Sequence, residues 1–219
     1  MPETEGVIKY KLDHQDIAFD ENIAVSDINA CRTLLFKLQL IGQLNDRYAG
    51  YGFGNISQRI NPLNPDTIQF IISGTQTGGI ETLSRQHYSY VTKATPEKNI
   101  IHSIGKTKPS SEALTHASVY RQDKKIQAVI HVHSPEIWHN TEQLKLAHTS
   151  ASIAYGTPEM ATEVARLMQT KQLKDEKIFS MLGHKDGIVA FSNSIESATL
   201  RVIKYYSRAI KFEQSKRHS

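Results

Sequence analysis

The apolar positions of this chain fall into short alternating runs and longer helical stripes, and the two periods predict its elements. Ile8, Tyr10 and Leu12 alternate with Lys9 and Lys11, which predicts a half-buried or edge strand. Ile28, Cys31, Leu34, Leu35, Leu38 and Ile41 then recur at helical spacing, with Ser26 as a candidate N-cap and Gly42 as the stop. That stripe reads as core. Strands are expected at 55–60 and 68–72, and the turn formers Asn61, Pro62, Asn64, Pro65 and Asp66 between them read as a hairpin. An apolar run at 99–104 ends at Gly105, after which Pro109, Ser110, Ser111 and Glu112 open a helix running to Tyr120. A strand follows at 126–133.

A short helical piece is expected near Ile137 and Trp138, and Thr157 with Pro158 starts a helix continuing through Met160, Val164, Leu167 and Met168. Strands at 177–182 and 187–192 flank the turn Gly183, His184, Lys185, Asp186, and Ser194 caps a final helix through Tyr205, Tyr206 and Ile210. Strands interspersed with helices, with no internal repeat or linker, predict one α/β domain: a three-layer α/β/α sandwich. Its central sheet should be mainly antiparallel, because several connections are tight. The domain is expected over 25–210, with an N-terminal extension bearing a short strand at 1–24 and a basic C-terminal tail at 211–219.

Composition narrows the class. With 219 residues, 39% of them hydrophobic and 22% charged, the chain can bury a real core, which excludes whole-chain disorder. Its single cysteine, Cys31, excludes a disulfide framework and a cysteine-rich zinc site, and fits a reducing compartment. No run approaches the roughly 18 consecutive apolar residues of a membrane helix, and the start MPETEGVIKYKLDH lacks the apolar core of a signal peptide. A soluble, cytoplasmic protein with no membrane partner is expected. The net charge of +4 comes without a basic stripe, and its densest cluster, Lys211, Lys216 and Arg217, reads as a frayed, solvated terminus. No nucleic-acid partner is expected.

The sharpest chemical signal is the strand Ala128 to Pro135, which contains His131-Val132-His133. Residues i and i+2 of a strand share a face, so two imidazoles stand side by side while Val132 faces the core, which is ligand geometry for a divalent metal. A third ligand has to come from elsewhere, and the turn Gly183 to Gly187 offers both His184 and Asp186. His102, His116, His139 and His148 read as surface or satisfied core residues. Lys108 to Glu112 brings two hydroxyls and free amides to a helix start, either as an anion site or as a plain cap. Gly52 to Ser57 and Ser73 to Gly79 are glycine-bearing turns at strand ends, which read as anion nests or as ordinary turns.

Taken in order, GNIS at 54–57, SGTQTGG at 73–79, KPSSE at 108–112, HVHSP at 131–135, YGTPEMA at 155–161 and GHKDG at 183–187 resemble the class II aldolase/adducin family. The resemblance spans roughly residues 25 to 210. It implies that His131, His133 and His184 bind zinc, or manganese or cobalt in its place, and that Glu112 is the acid/base. It also implies a substrate or phosphate pocket of Gly54, Asn55, Thr77, Gly78, Ser110 and Ser111. The implied activity is a lyase working through a metal-stabilised enediolate, next to a carbonyl of a small hydroxylated, sugar-like substrate with or without a phosphate. Decarboxylase, epimerase or dehydratase chemistry at the same site, and a non-catalytic adducin-like binding module, are the alternatives. Segment 141–154, where the sugar-phosphate aldolases supply a catalytic tyrosine, contains none. The family also implies a homotetramer, with Trp138 or Tyr155 expected to be exposed at its interface.

Overall fold

The computed structural model describes residues 6–60 and 67–217. The first half of the chain forms β1 (Lys11–Gln15), α1 (Ser26–Lys37), β2 (Gly42–Gln43), β3 (Gly52–Phe53), β4 (Asn55–Arg59), β5 (Phe70–Ser73), β6 (Tyr88–Thr95) and β7 (Ile100–Ile104). There follow α2 (Ala113–Gln122), β8 (Ala128–His133), α3 (Pro135–His139), β9 (Ala147–His148), α4 (Pro158–Met168), α5 (Lys171–Glu176), β10 (Ile178–Ser180), β11 (Gly187–Ser192) and α6 (Ile195–Arg217). Among the described residues, nine strands make the central sheet in the order β1-β7-β6-β5-β4-β8-β11-β10-β9, and β2 pairs with β3 in a small separate ladder. The inner pairings are antiparallel, as expected from tight connections, and only the outer pairs β1 with β7 and β9 with β10 run parallel.

Strand alternation places a core on each face of this sheet. On β8 and β11, Val129, Val189 and Phe191 join a cluster that includes Leu114 and Ala117 of α2, Val164 and Leu167 of α4, and Leu173 of α5. Their neighbours Ala128, Ile130, Val132, Ile188 and Ala190 join the opposite cluster, with Ile28 and Leu35 of α1 and Ala198, Val202 and Tyr205 of α6. Burial of each large aliphatic side chain contributes about 1.5 to 3 kcal/mol, so a register slip that exchanged the two faces would be prohibitive. The site histidines lie on the α2 face, because His131 and His133 share the parity of Val129.

Helix α2 is buried along 113–120, and its polar groups are met by β4. Ser57 Oγ lies 2.7 Å from His116 Nδ1 and 2.8 Å from the Tyr120 hydroxyl. Arg59 donates to the carbonyls of Tyr120 and Ile126, which closes the last turn of the helix. The expected caps hold at α4, where Thr157 Oγ1 accepts from the Met160 amide, and at α6, where Ser194 Oγ accepts from the Ser197 amide.

Several expectations are corrected. The first strand begins at Lys11 rather than Ile8, because the preceding segment is drawn toward α2 by the Tyr10 hydroxyl, which donates to the Ser110 carbonyl at 2.7 Å. Helix α1 stops at Lys37, ahead of Gln39 in left-handed backbone, and Ser26 Oγ turns to Asp27 instead of capping. Strand β6 and helix α5 had no predicted counterpart; β6 carries Ser, Thr and Lys among its apolar residues and a bulge between Val91 and Lys93. Strands β4 and β5 pair antiparallel as expected, while Asn61, Pro62, Asn64, Pro65 and Asp66 lie outside the described residues. The final helix continues past Ile210 to Arg217, so 211–217 is not a frayed tail, and Lys216 Nζ donates to Asn140 Oδ1 at 2.9 Å. Tyr155 is fully buried, and Trp138 is partly buried with its indole N–H on the Met181 carbonyl. No helix among the described residues is long and apolar enough to cross a membrane.

Candidate active site

Strand β8 presents His131 and His133 on one face, and the turn after β10 brings His184 over them. The Nε2 atoms of His131 and His133 are 3.0 Å apart, and those of His133 and His184 are 3.1 Å apart. All three residues are buried, and their ligand atoms lie within 4.8 Å of one another, so they could hold a metal ion. His131 Nδ1 is 3.2 Å from the Ile188 carbonyl, a pure acceptor, so Nδ1 carries the proton and Nε2 keeps its lone pair. Burial, reinforced by the nearby His184, holds the pKa values of His131 and His133 well below the ordinary imidazole range. Both rings are therefore neutral at pH 7, the form that ligates metal.

Gly187 opens β11 directly opposite His133. A Cβ there would stand 2.7 Å from His184 Cδ2 and 3.3 Å from His131 Cε1, so the cluster closes only around a residue without a side chain. The alternative third ligand, Asp186, is not in the cluster. Its Oδ2 accepts a 2.7 Å hydrogen bond from the Tyr48 hydroxyl, and its backbone carbonyl accepts from the Ser134 amide. Of the two candidate ligands in the turn, the structure brings His184 to the histidine pair and Asp186 to the Tyr48 hydroxyl.

Glu112, the residue before α2, is 2% exposed, with Oε1 3.8 Å from His184 Nε2. It lines a pocket together with His131 and all six residues expected to meet the substrate: Gly54, Asn55, Thr77, Gly78, Ser110 and Ser111. Asn55 Oδ1 is buried there without a donor among the described residues. Segments as far apart as Gly54 and His131 thus meet at one concavity that offers amides, hydroxyls, a carboxylate and imidazole.

Of the four histidines set aside, His102 sits near the surface by Asp13, at 3.0 Å, and His139 and His148 fall outside the three-histidine group. His116 is fully buried one turn beyond Glu112 on α2. The sequence reading missed the tyrosines. The Tyr48 ring meets His133 edge-on at 4.6 Å between centroids, and the Tyr155 ring lies 4.6 Å from that of His184. Arg47 donates to the Tyr48 hydroxyl at 2.8 Å. Tyr10 had a signal in its alternation, whereas Arg47 and Tyr48 occupy a segment with neither period.

The sequence profile of the class II aldolase and adducin N-terminal domain matches residues 44–209, and the chain belongs to that family. Among solved structures, an L-fuculose 1-phosphate aldolase shares 18% identity and a TM-score of 0.63, with 91% of each chain covered. A sugar-phosphate aldolase from Thermotoga maritima shares 15% identity and a TM-score of 0.64, over 86% of this chain and 92% of that one. An L-fuculose-1-phosphate aldolase from Thermus thermophilus shares 16% identity and a TM-score of 0.60, over 86% and 91%. These likenesses establish a shared fold. No curated protein matches by sequence.

Proposed function

We propose that this chain is a divalent-metal-dependent lyase of the class II aldolase type, acting next to a carbonyl of a small hydroxylated, sugar-like substrate that bears a phosphate-like anionic group. The observation that carries this reading is the convergence of His131, His133 and His184 beside Glu112, with His131 and Glu112 lining a pocket rich in backbone amides and hydroxyls. Three buried imidazoles whose Nε2 atoms gather about that of His133 at 3.0 and 3.1 Å suit zinc, with manganese or cobalt as substitutes. When bound, such an ion supplies a Lewis acid that polarises the substrate carbonyl.

The chain's own residues do the rest. Glu112 is the acid/base, moving a proton at the carbon beside the carbonyl, with its carboxylate held in a buried position next to the histidines. Gly54, Asn55, Thr77, Gly78, Ser110 and Ser111 bind the anionic group through amides and hydroxyls and so orient the reacting end toward Glu112. The names of the structural neighbours, fuculose-phosphate and sugar-phosphate aldolases, support a substrate of this class. The unit that carries the site is the 25–210 domain, to which the preceding segment adds Tyr10. A cytoplasmic homotetramer completes the reading, supported by the lone Cys31 and by analogy within the family.

Metal content of the purified protein, by mass spectrometry, is the test. About one divalent ion per chain is expected, lost in His133→Ala and in His184→Ala and kept in Asp186→Ala. Absence of metal after incubation with zinc, cobalt and manganese would overturn the lyase reading in favour of a binding module.

A further inference from the structure

Arg32 lies on α1 and is 1% exposed, yet no carboxylate forms an ion pair with it among the described residues. A buried guanidinium has five N–H donors to satisfy, and this one turns both of its Nη groups to backbone. Nη1 donates to the carbonyls of Ile80 and Glu81, and Nη2 to those of Thr77 and Gly78 at 3.1 Å each. A single side chain therefore gathers four carbonyls of the loop that follows β5.

The consequence follows from the planarity of the peptide bond. The carbonyl of Thr77 and the amide of Gly78 belong to one trans peptide and point in opposite directions, as do the carbonyl of Gly78 and the amide of Gly79. Carbonyls drawn to Arg32 thus turn these two amides the other way, and among the described residues neither amide has an acceptor. Gly78 lines the pocket. Gly52, which lines the same pocket, packs against it: a Cβ there would lie 3.2 Å from the Gly78 nitrogen, so a side chain at 52 would crowd that amide. Among the described residues, the pocket lining contains no lysine or arginine.

The geometry points to Arg32 as the positioning residue of the anion subsite, aiming the Gly78 amide into the pocket from behind and lending it positive potential through oriented peptides. Arg32 touches no ligand. This inference rests on the reading of the pocket as an anion site, and its test separates the two. Inorganic phosphate serves as the probe, added to the full, metal-loaded chain. Phosphate affinity, metal per chain and the ¹⁵N–¹H resonance of Gly78 are read in wild type, R32M and R32K.

In wild type, phosphate is expected to shift the Gly78 amide resonance. R32M is expected to keep its metal and bind phosphate about tenfold more weakly or worse, the loss that follows when donors to an anion are misdirected. R32K restores the charge without the planar fork and should fall between the two. A purely structural role for Arg32 would lower stability and leave phosphate affinity in the folded fraction unchanged. The inference is overturned if folded R32M or R32K binds phosphate within about twofold of wild type, a margin too small for a lost charge-assisted donor. It is equally overturned if the wild-type Gly78 amide does not respond to phosphate. Should R32M fail to fold, R32K and the wild-type resonance decide. Wild-type protein without metal would count against the proposed lyase, and the amide response would still decide the role of Arg32.

Discussion

The Tyr48 hydroxyl donates a 2.7 Å hydrogen bond to Asp186 across 138 residues of sequence, and both residues hold left-handed backbone, with φ of 49° and 62°. Ala49 follows Tyr48 with φ of 55°. Left-handed non-glycine residues cost of order 1 kcal/mol each and persist only where the surroundings hold them, so three around one hydrogen bond mark a clamp. The clamp fixes the turn that delivers His184, and the Tyr48 ring rests against His133.

Tyr48→Phe keeps the ring and removes the donor. It is expected to destabilise the fold by about 1 to 3 kcal/mol, since the partner is a buried carboxylate, and to speed loss of bound metal to a chelator. Urea unfolding and chelator kinetics check this, and unchanged metal release would mean that the turn does not depend on the clamp.

Gly187→Ala places a methyl group 2.7 Å from His184 Cδ2, too short for contact, and 3.3 Å from His131 Cε1, a tight one. The imidazoles must give way, and metal affinity should fall about tenfold or more, because ligand spacing tolerates only tenths of an ångström. Titration against a competing chelator measures it. Wild-type affinity in this variant would show that the cluster can reorganise.

Glu112→Gln conserves shape and removes the titratable proton. Turnover of the substrate, once found among sugar-phosphate-like compounds, should fall by about 10² to 10⁴, the range for lost general acid or base catalysis. Metal content should be unchanged. Activity near wild type would assign the proton transfer to another group.

His116 is fully buried, and burial alone pushes its pKa from 6.5 down to about 3. The unfolded chain binds a proton that the folded chain refuses between these values. Its contribution is thus complete above pH 6.5 and is lost as the pH falls toward 3, up to roughly 5 kcal/mol at the limit. His116→Gln removes this dependence, so the wild-type advantage in stability should narrow between about pH 7 and about pH 4. Urea melts of the two proteins across that range test it. Parallel curves would mean that His116 is hydrated or charged in the fold.

Local pattern made a large part of this protein legible. The i, i+2 spacing of His131 and His133 put both rings on one face, because strand parity needs no tertiary information. The caps Thr157 and Ser194 started their helices as read, because a side-chain oxygen three residues ahead of an orphan amide is a local event. The ordered glycine and serine strings that now line one pocket were also visible, each as a loop next to a strand or helix end.

What the sequence could not decide was direction and partnership. His184 and Asp186 sit two residues apart in one turn, and only the positive φ of Asp186, held by Tyr48 from the opposite end of the chain, brings one to the histidine pair and the other to the Tyr48 hydroxyl. Arg32 drew no reading from the sequence, and its four carbonyl partners exist only once the loop after β5 folds over α1. Strand β6 has too irregular a period to be read alone and takes its place because β5 and β7 pair on either side of it. Periodicity states which face a residue shares with its neighbours; contacts between distant segments decide what that face meets, because they form only when the whole sheet and both cores are assembled.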